Sequence, residues 1–163
     1  MATTALGGNP VNTNADLPAV GADAPAFELV GSDFATVTLP TGTRTVLNIF
    51  PSVDTGICAA SVRKFNELAA GLEDTQVINV SNDLPFAQAR FCGAEGIDKV
   101  IVASGFRSSF GEDYGVALTD GKFDGLLARS IVVIDADGKV VHSQLVPEIG
   151  TEPDYDAAVA ALN

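Results

Sequence analysis

Apolar positions along this chain fall into two alternating patterns, short β-branched runs and longer stretches with an apolar side chain every three or four residues. Thr45–Phe50 (TVLNIF) reads as a buried strand, and Pro51 stops it. From Cys58, apolar side chains recur at 58, 62, 65 and 69, with Leu68 and Leu72 beside them. Ser61, Arg63, Lys64, Asn66 and Glu67 take the opposite face, so the spacing predicts a helix opened by Asp54–Thr55 and ended near Gly71. Gln76–Val80 is the next strand. Asp83 is expected to cap a second helix with Pro85 in its first turn and Cys92–Gly93 at its far end.

The flanking segments are weaker. Residues 1–24 are rich in Gly, Pro, Asn, Ala and Thr and read as an arm with a small hairpin around Asn12–Asn14. Short strands are expected near Phe27–Val30, Thr36–Leu39 and Val100–Ala103, and a short helix over Phe106–Tyr114. Ser130–Asp135 and Lys139–Val146 flank an Asp-Ala-Asp-Gly turn and predict a hairpin. Thr151-x-x-Asp154 resembles a capping box ahead of a helix with Tyr155, Ala158, Val159 and Leu162 on one face. A β-rich start followed by βαβαβα and ββα predicts an α/β fold, a central mixed sheet flanked by helices in one domain over residues 1–163.

Composition narrows the function classes. A chain of 163 residues, 47% hydrophobic and 18% charged, can bury a core of its own. A net charge of -12 with no Trp disfavours nucleic acid and anionic membranes as partners. No apolar run reaches the length of a spanning helix, and MATTALGGNP lacks the basic and apolar regions of a secretory signal, so a cytoplasmic, reducing compartment is expected. Two cysteines and one histidine, widely spaced, make no zinc pattern, and no G-x-G-x-x-G or P-loop calls for a nucleotide, so neither metal nor cofactor is expected. The absence of C-x-x-C disfavours a thioredoxin-type reductase. His142, read as an ordinary strand residue, is the only base available to a Cys–His hydrolase.

The chemistry concentrates in Pro51-Ser-Val-Asp-Thr55-Gly-Ile-Cys58, where a strand ends, a loop follows and a cysteine enters the first turn of a helix. Unpaired amides and the positive end of the dipole favour a thiolate there. Thr55 as the cap would direct its hydroxyl at the Cys58 amide, and Pro51 could wall the thiol off from water. On the residues alone Cys58 is either such a reactive sulfur or a buried structural cysteine, and Cys92 either a core residue or a second redox thiol. Arg129 reads by itself as an end-of-strand arginine. Arg63 belongs to the solvated face of its helix.

Taken together these segments resemble one family. NIFPSVDTGICAASVRKFN (Asn48–Asn66) carries Pro51, Thr55 and Cys58 in the P-x-x-x-T-x-x-C signature of bacterial thiol peroxidases, atypical 2-Cys members of the peroxiredoxins. NDLPFAQARFCGAEG (Asn82–Gly96) is similar to their resolving-cysteine helix, and LLARSIVVID (Leu126–Asp135) to the strand bearing their active-site arginine. GNPV (Gly8–Val11) and the tail SQLVPEIGTEPDYDAAVAAL match as well. The resemblance implies a thioredoxin-like fold with an N-terminal β-hairpin extension, and a homodimer recycled by thioredoxin. It implies reduction of alkyl hydroperoxides and hydrogen peroxide by Cys58, with Cys92 closing a Cys58–Cys92 disulfide. Thr55 and Arg129 would bind the thiolate and peroxide, and Pro51 would shield them. Resolution would require local unwinding wherever the reduced helices hold the cysteines beyond about 7 Å between Cα atoms. A redox sensor using the same cysteine pair is the non-enzyme alternative, and it would not need the Pro51, Thr55 and Arg129 set.

Overall fold

The strongest apolar runs form the centre of the sheet. In the computed structural model, which describes residues 1–162, the strands are β3 (Glu28–Gly31), β4 (Thr36–Thr38), β5 (Arg44–Ile49), β6 (Thr75–Ser81), β7 (Ile101–Ser104), β8 (Ser130–Ile134) and β9 (Val140–Leu145). Asn163, the last position of the expected domain, lies outside the described residues. The seven strands lie in the order β4-β3-β7-β6-β5-β8-β9. β5, β6 and β7 are parallel, whereas β3 is antiparallel to β4 and β7, and β8 to β5 and β9. Helices α1 (Gly56–Ala69) and α2 (Pro85–Glu95) form the two parallel crossovers, and α3 (Phe110–Asp113) and α4 (Tyr155–Ala160) follow. This is the expected mixed sheet flanked by helices. Among the described residues no helix is long and apolar enough to cross a membrane.

Alternation along β5 divides the core. Leu47 and Ile49 join Phe27, Ile78, Phe110 and Tyr114 on one face. Val46 packs with Phe65, Ile131, Val133 and Ala158 on the other, where Phe50 joins Cys58, Val62, Phe91 and Val102. Each fully buried Phe or Leu of these clusters contributes about 1.5–3 kcal/mol. The cysteine is therefore set into the packed seam between α1 and the strand ends.

Several local expectations require correction. The N-terminal hairpin pairs β1 (Thr3–Leu6) with β2 (Asn9–Asn12), so it turns at Gly7–Gly8 and not around Asn12–Asn14. Both glycines have positive φ, 60° and 83°, the conformation a two-residue hairpin turn demands. Helix α1, by contrast, ends where expected, at Ala69 with Ala70 as its C-cap and Gly71 next. Helix α2 runs past Gly93 to Glu95, because Gly96 at φ 65° supplies the left-handed stop. Its N-cap is Leu84, not Asp83. The Phe106–Tyr114 helix shrinks to the single turn of α3. Asp154 itself caps α4, accepting from the Ala157 N–H at 3.0 Å, while the Thr151 hydroxyl donates to Glu148 O.

Candidate active site

Helix α1 brings Cys58 to its first turn. Thr55 is the N-cap with extended backbone, and the first intrahelical bond runs from the Ala59 N–H to Thr55 O at 2.9 Å. The amides of the preceding positions thus lack intrahelical carbonyls and lie around the cysteine at the positive end of the dipole. Cys58 is fully buried and a free thiol.

From the residue just before β8 comes the decisive neighbour. Arg129, 1% exposed, donates from Nη2 to Cys58 Sγ at 3.0 Å and from Nε to Ile149 O at 2.7 Å. No carboxylate pairs with it among the described residues, and its Nη1 is buried with no protein partner. A buried guanidinium without an anion is costly, so a negative sulfur, or an oxygen brought to it, is the complementary species. Pro51 is buried two residues past the end of β5.

Thr55 lies close in sequence, but its hydroxyl does not cap the Cys58 amide; it donates to Ser52 O at 3.1 Å. The short Pro51–Thr55 loop offers that carbonyl nearer than the helix offers an amide, and the Thr55 N–H binds the same oxygen at 3.2 Å. Cys92 is half-buried on α2 and packs against the apolar cluster that contains Cys58. Burial raises its thiol above the ordinary range, so it is a neutral thiol in the reduced form. Arg63 is exposed and pairs with Glu95 at 3.1 Å, outside this cluster. His142 lies on β9 as expected. A cleft of about 650 Å³ between β3, β4 and Arg107–Ser109 contains none of these residues.

The sequence matches the family model described as Redoxin over residues 19–159. Two curated thiol peroxidases align end to end. That of Corynebacterium glutamicum is 56% identical over 165 residues, 100% of both chains, and that of Mycobacterium tuberculosis strain H37Rv is 58% identical over 164 residues, 99% of both. The chain belongs to the thiol peroxidases of the redoxin family. It is a thiol-dependent peroxidase with a thioredoxin-like fold. A peroxiredoxin-like protein from Aquifex aeolicus superposes with a TM-score of 0.96 at 42% identity, covering 99% of this chain and 96% of that one. A thiol peroxidase from Chromobacterium violaceum, at 22% identity and a TM-score of 0.90 over 98% of this chain and 94% of that one, shares the fold.

Two features of the peroxidase had no signal in its sequence. A buried polar chain runs under α1, with Ser61 Oγ donating to Cys58 O at 2.8 Å and Asn48 Nδ2 donating to both Ser61 Oγ and Asn79 Oδ1. It holds the turn that carries the sulfur against the middle of the sheet. The second is the carboxylate of Asp83, which grips the loop before Cys58.

Proposed function

We propose that this peroxidase reduces alkyl hydroperoxides and hydrogen peroxide through Cys58, resolves the product with Cys92 and is recycled by thioredoxin. The observation that carries the reading is the Arg129 Nη2 contact to Cys58 Sγ inside a buried site, beside a second buried guanidinium nitrogen with no protein partner. The ionised sulfur attacks one peroxide oxygen. An S–O bond forms, the O–O bond breaks, and the departing RO⁻ takes a proton to leave as ROH. Sulfur is oxidised by two electrons to a sulfenic acid. Arg129 acts as a fixed donor to the charge that moves from sulfur to the leaving oxygen. The Thr55 hydroxyl, its proton directed to Ser52 O, keeps lone pairs free to accept from the peroxide O–H. Pro51 excludes water from the same side.

The Cys92 sulfur then attacks the sulfenic sulfur, forming the disulfide and releasing water. A thioredoxin dithiol reduces that disulfide by exchange and leaves as its own disulfide. The two cysteines sit on separate helices; Arg63–Glu95 links α1 to α2 and Arg90–Asp54, at 2.6 Å, links α2 to the loop before α1, and in this reading the first turn of α1 and the end of α2 loosen as the bond closes. A homodimer in a reducing cytoplasm completes the proposal. The exposed Phe34–Phe86 pair, ring centroids 5.2 Å apart with Leu84 and Phe106 also exposed, supports a partner surface.

The test is turnover of cumene hydroperoxide with a thioredoxin system. Many equivalents consumed per chain, abolished in Cys58→Ser and limited to a first oxidation in Cys92→Ser, is the expected result. Full turnover by Cys58→Ser would overturn the assignment, and a single equivalent consumed by the parent chain would favour a sensor.

A further inference from the structure

We propose that Asp83 is a positioning residue for peroxide attack, an inference that rests on the role of Cys58 above. Its carboxylate lies at the β6–α2 junction and accepts three hydrogen bonds: from Ser52 Oγ at 2.7 Å, the Val53 N–H at 2.8 Å and Ser81 Oγ at 2.6 Å. The Asp83 carbonyl accepts from Ser104 Oγ at the end of β7. Gln88 Nε2, buried in α2, donates to Ser81 Oγ at 3.1 Å and to Ala103 O at 2.9 Å. Asp83 thus ties the loop that precedes Cys58 to the end of β6 through its side chain and to the end of β7 through its carbonyl. No cation pairs with the carboxylate among the described residues, so its hydrogen-bonding capacity goes to this clip.

The clip reaches the reacting atoms through Ser52. Ser52 Oγ, held by Asp83, accepts the Asp54 N–H at 3.1 Å, and Ser52 O receives both the N–H and the hydroxyl of Thr55. Displacing Ser52–Val53 therefore turns the Thr55 hydroxyl and shifts the first turn of α1, which begins at Gly56. In-line attack on an O–O bond is sensitive to such displacement, and an error near 1 Å costs on the order of a hundredfold in rate. Both Asp83 oxygens act as acceptors here, Oδ1 from Ser52 and Oδ2 from Val53 and Ser81. An asparagine would turn an amide donor toward either the Ser52 hydroxyl or the Val53 N–H. The same clip opposes resolution, since closing the disulfide requires the segment it anchors to loosen.

The test follows the two chemical steps separately in the full-length protein. Cys58 oxidation by cumene hydroperoxide is timed in a Cys92→Ser background, and disulfide closure after one equivalent is timed with both cysteines present. Asp83→Ala is expected to slow oxidation about tenfold to a hundredfold while closure proceeds at the parent rate or faster. Asp83→Asn should slow oxidation nearly as much. Tyr114→Phe, which removes the hydrogen bond to Pro25 O on the opposite face of the sheet, is a destabilised control expected to keep both parent rates. Oxidation by folded Asp83→Ala at the parent rate, or equal slowing of both steps in Asp83→Ala and Tyr114→Phe, overturns the inference. If Asp83→Ala does not fold, Ser52→Ala carries the test, with oxidation about threefold slower or more supporting the clip and a parent rate rejecting it. A Cys58→Ser chain that still consumed hydroperoxide would refute the underlying role of Cys58 and leave the clip without an object.

Discussion

Replacing Arg129 isolates the electrostatic core of the mechanism. Arg129→Met keeps much of the side chain's bulk in a fully enclosed site but removes the donor 3.0 Å from the Cys58 sulfur and the anchor to Ile149 O. A unit charge pair at that separation interacts by about 5 kcal/mol at an effective dielectric near 20, which sets a ceiling because the guanidinium charge is delocalised. The measured cost of deleting one preorganised donor in comparable sites is about 3–4 kcal/mol, a hundredfold to thousandfold in rate. Arg129→Met should therefore oxidise Cys58 about a hundredfold to a thousandfold more slowly. Arg129→Lys restores a point charge without the fork that spans Cys58 and Ile149, and should fall about tenfold below the parent. The assay is rapid mixing with cumene hydroperoxide in a Cys92→Ser background, with the sulfenic acid trapped by a sulfenic-specific reagent. A folded Arg129→Met chain within about threefold of the parent rate would show that the guanidinium is structural and not electrostatic in its role.

Two further outcomes follow from the same geometry. Because burial raises the Cys92 thiol, its thiolate is scarce near neutrality; disulfide closure should accelerate as pH rises from about 6 to about 8, and a pH-independent rate would show that loosening of the helices limits the step. Glu148 accepts from the Gly7, Gly8 and Gly150 amides, which hold its carboxyl below the usual range. A lowered folded value means that this contribution is present above the unfolded value of about 4.3 and is lost as pH falls through the folded one. Hydrogen exchange at Gly7 and Gly8, corrected for intrinsic rates, should lose protection in that acid range and at neutral pH in Glu148→Gln; unchanged protection would contradict the role.

The sheet and both cysteine-bearing helices were legible because their signals are local. TVLNIF is β-branched and apolar along its whole length, and the 58, 62, 65, 69 spacing admits a helix alone. Thr3–Leu6 carries no alternation strong enough to announce β1, so the sequence alone does not locate the hairpin turn at Gly7–Gly8. Asp83 stood where a helix cap belongs, and its capture by Ser52 and Val53 depends on partners far away in the chain. Thr55 was a correct cap by backbone and a wrong one by side chain, since a nearby carbonyl outcompeted the amide. Arg129 became a site candidate through family resemblance; no spacing rule links the residue that precedes β8 to the first turn of α1, because the pairing of β5 with β8 brings them together.

Peptide mapping by mass after one equivalent of cumene hydroperoxide addresses the central claim most directly. The account requires the chain to lose about 2 Da, the mass of two hydrogens, with the Cys58 and Cys92 peptides recovered as one linked species and no such change in Cys58→Ser. Oxygen retained on Cys92 with Cys58 still a free thiol would contradict it.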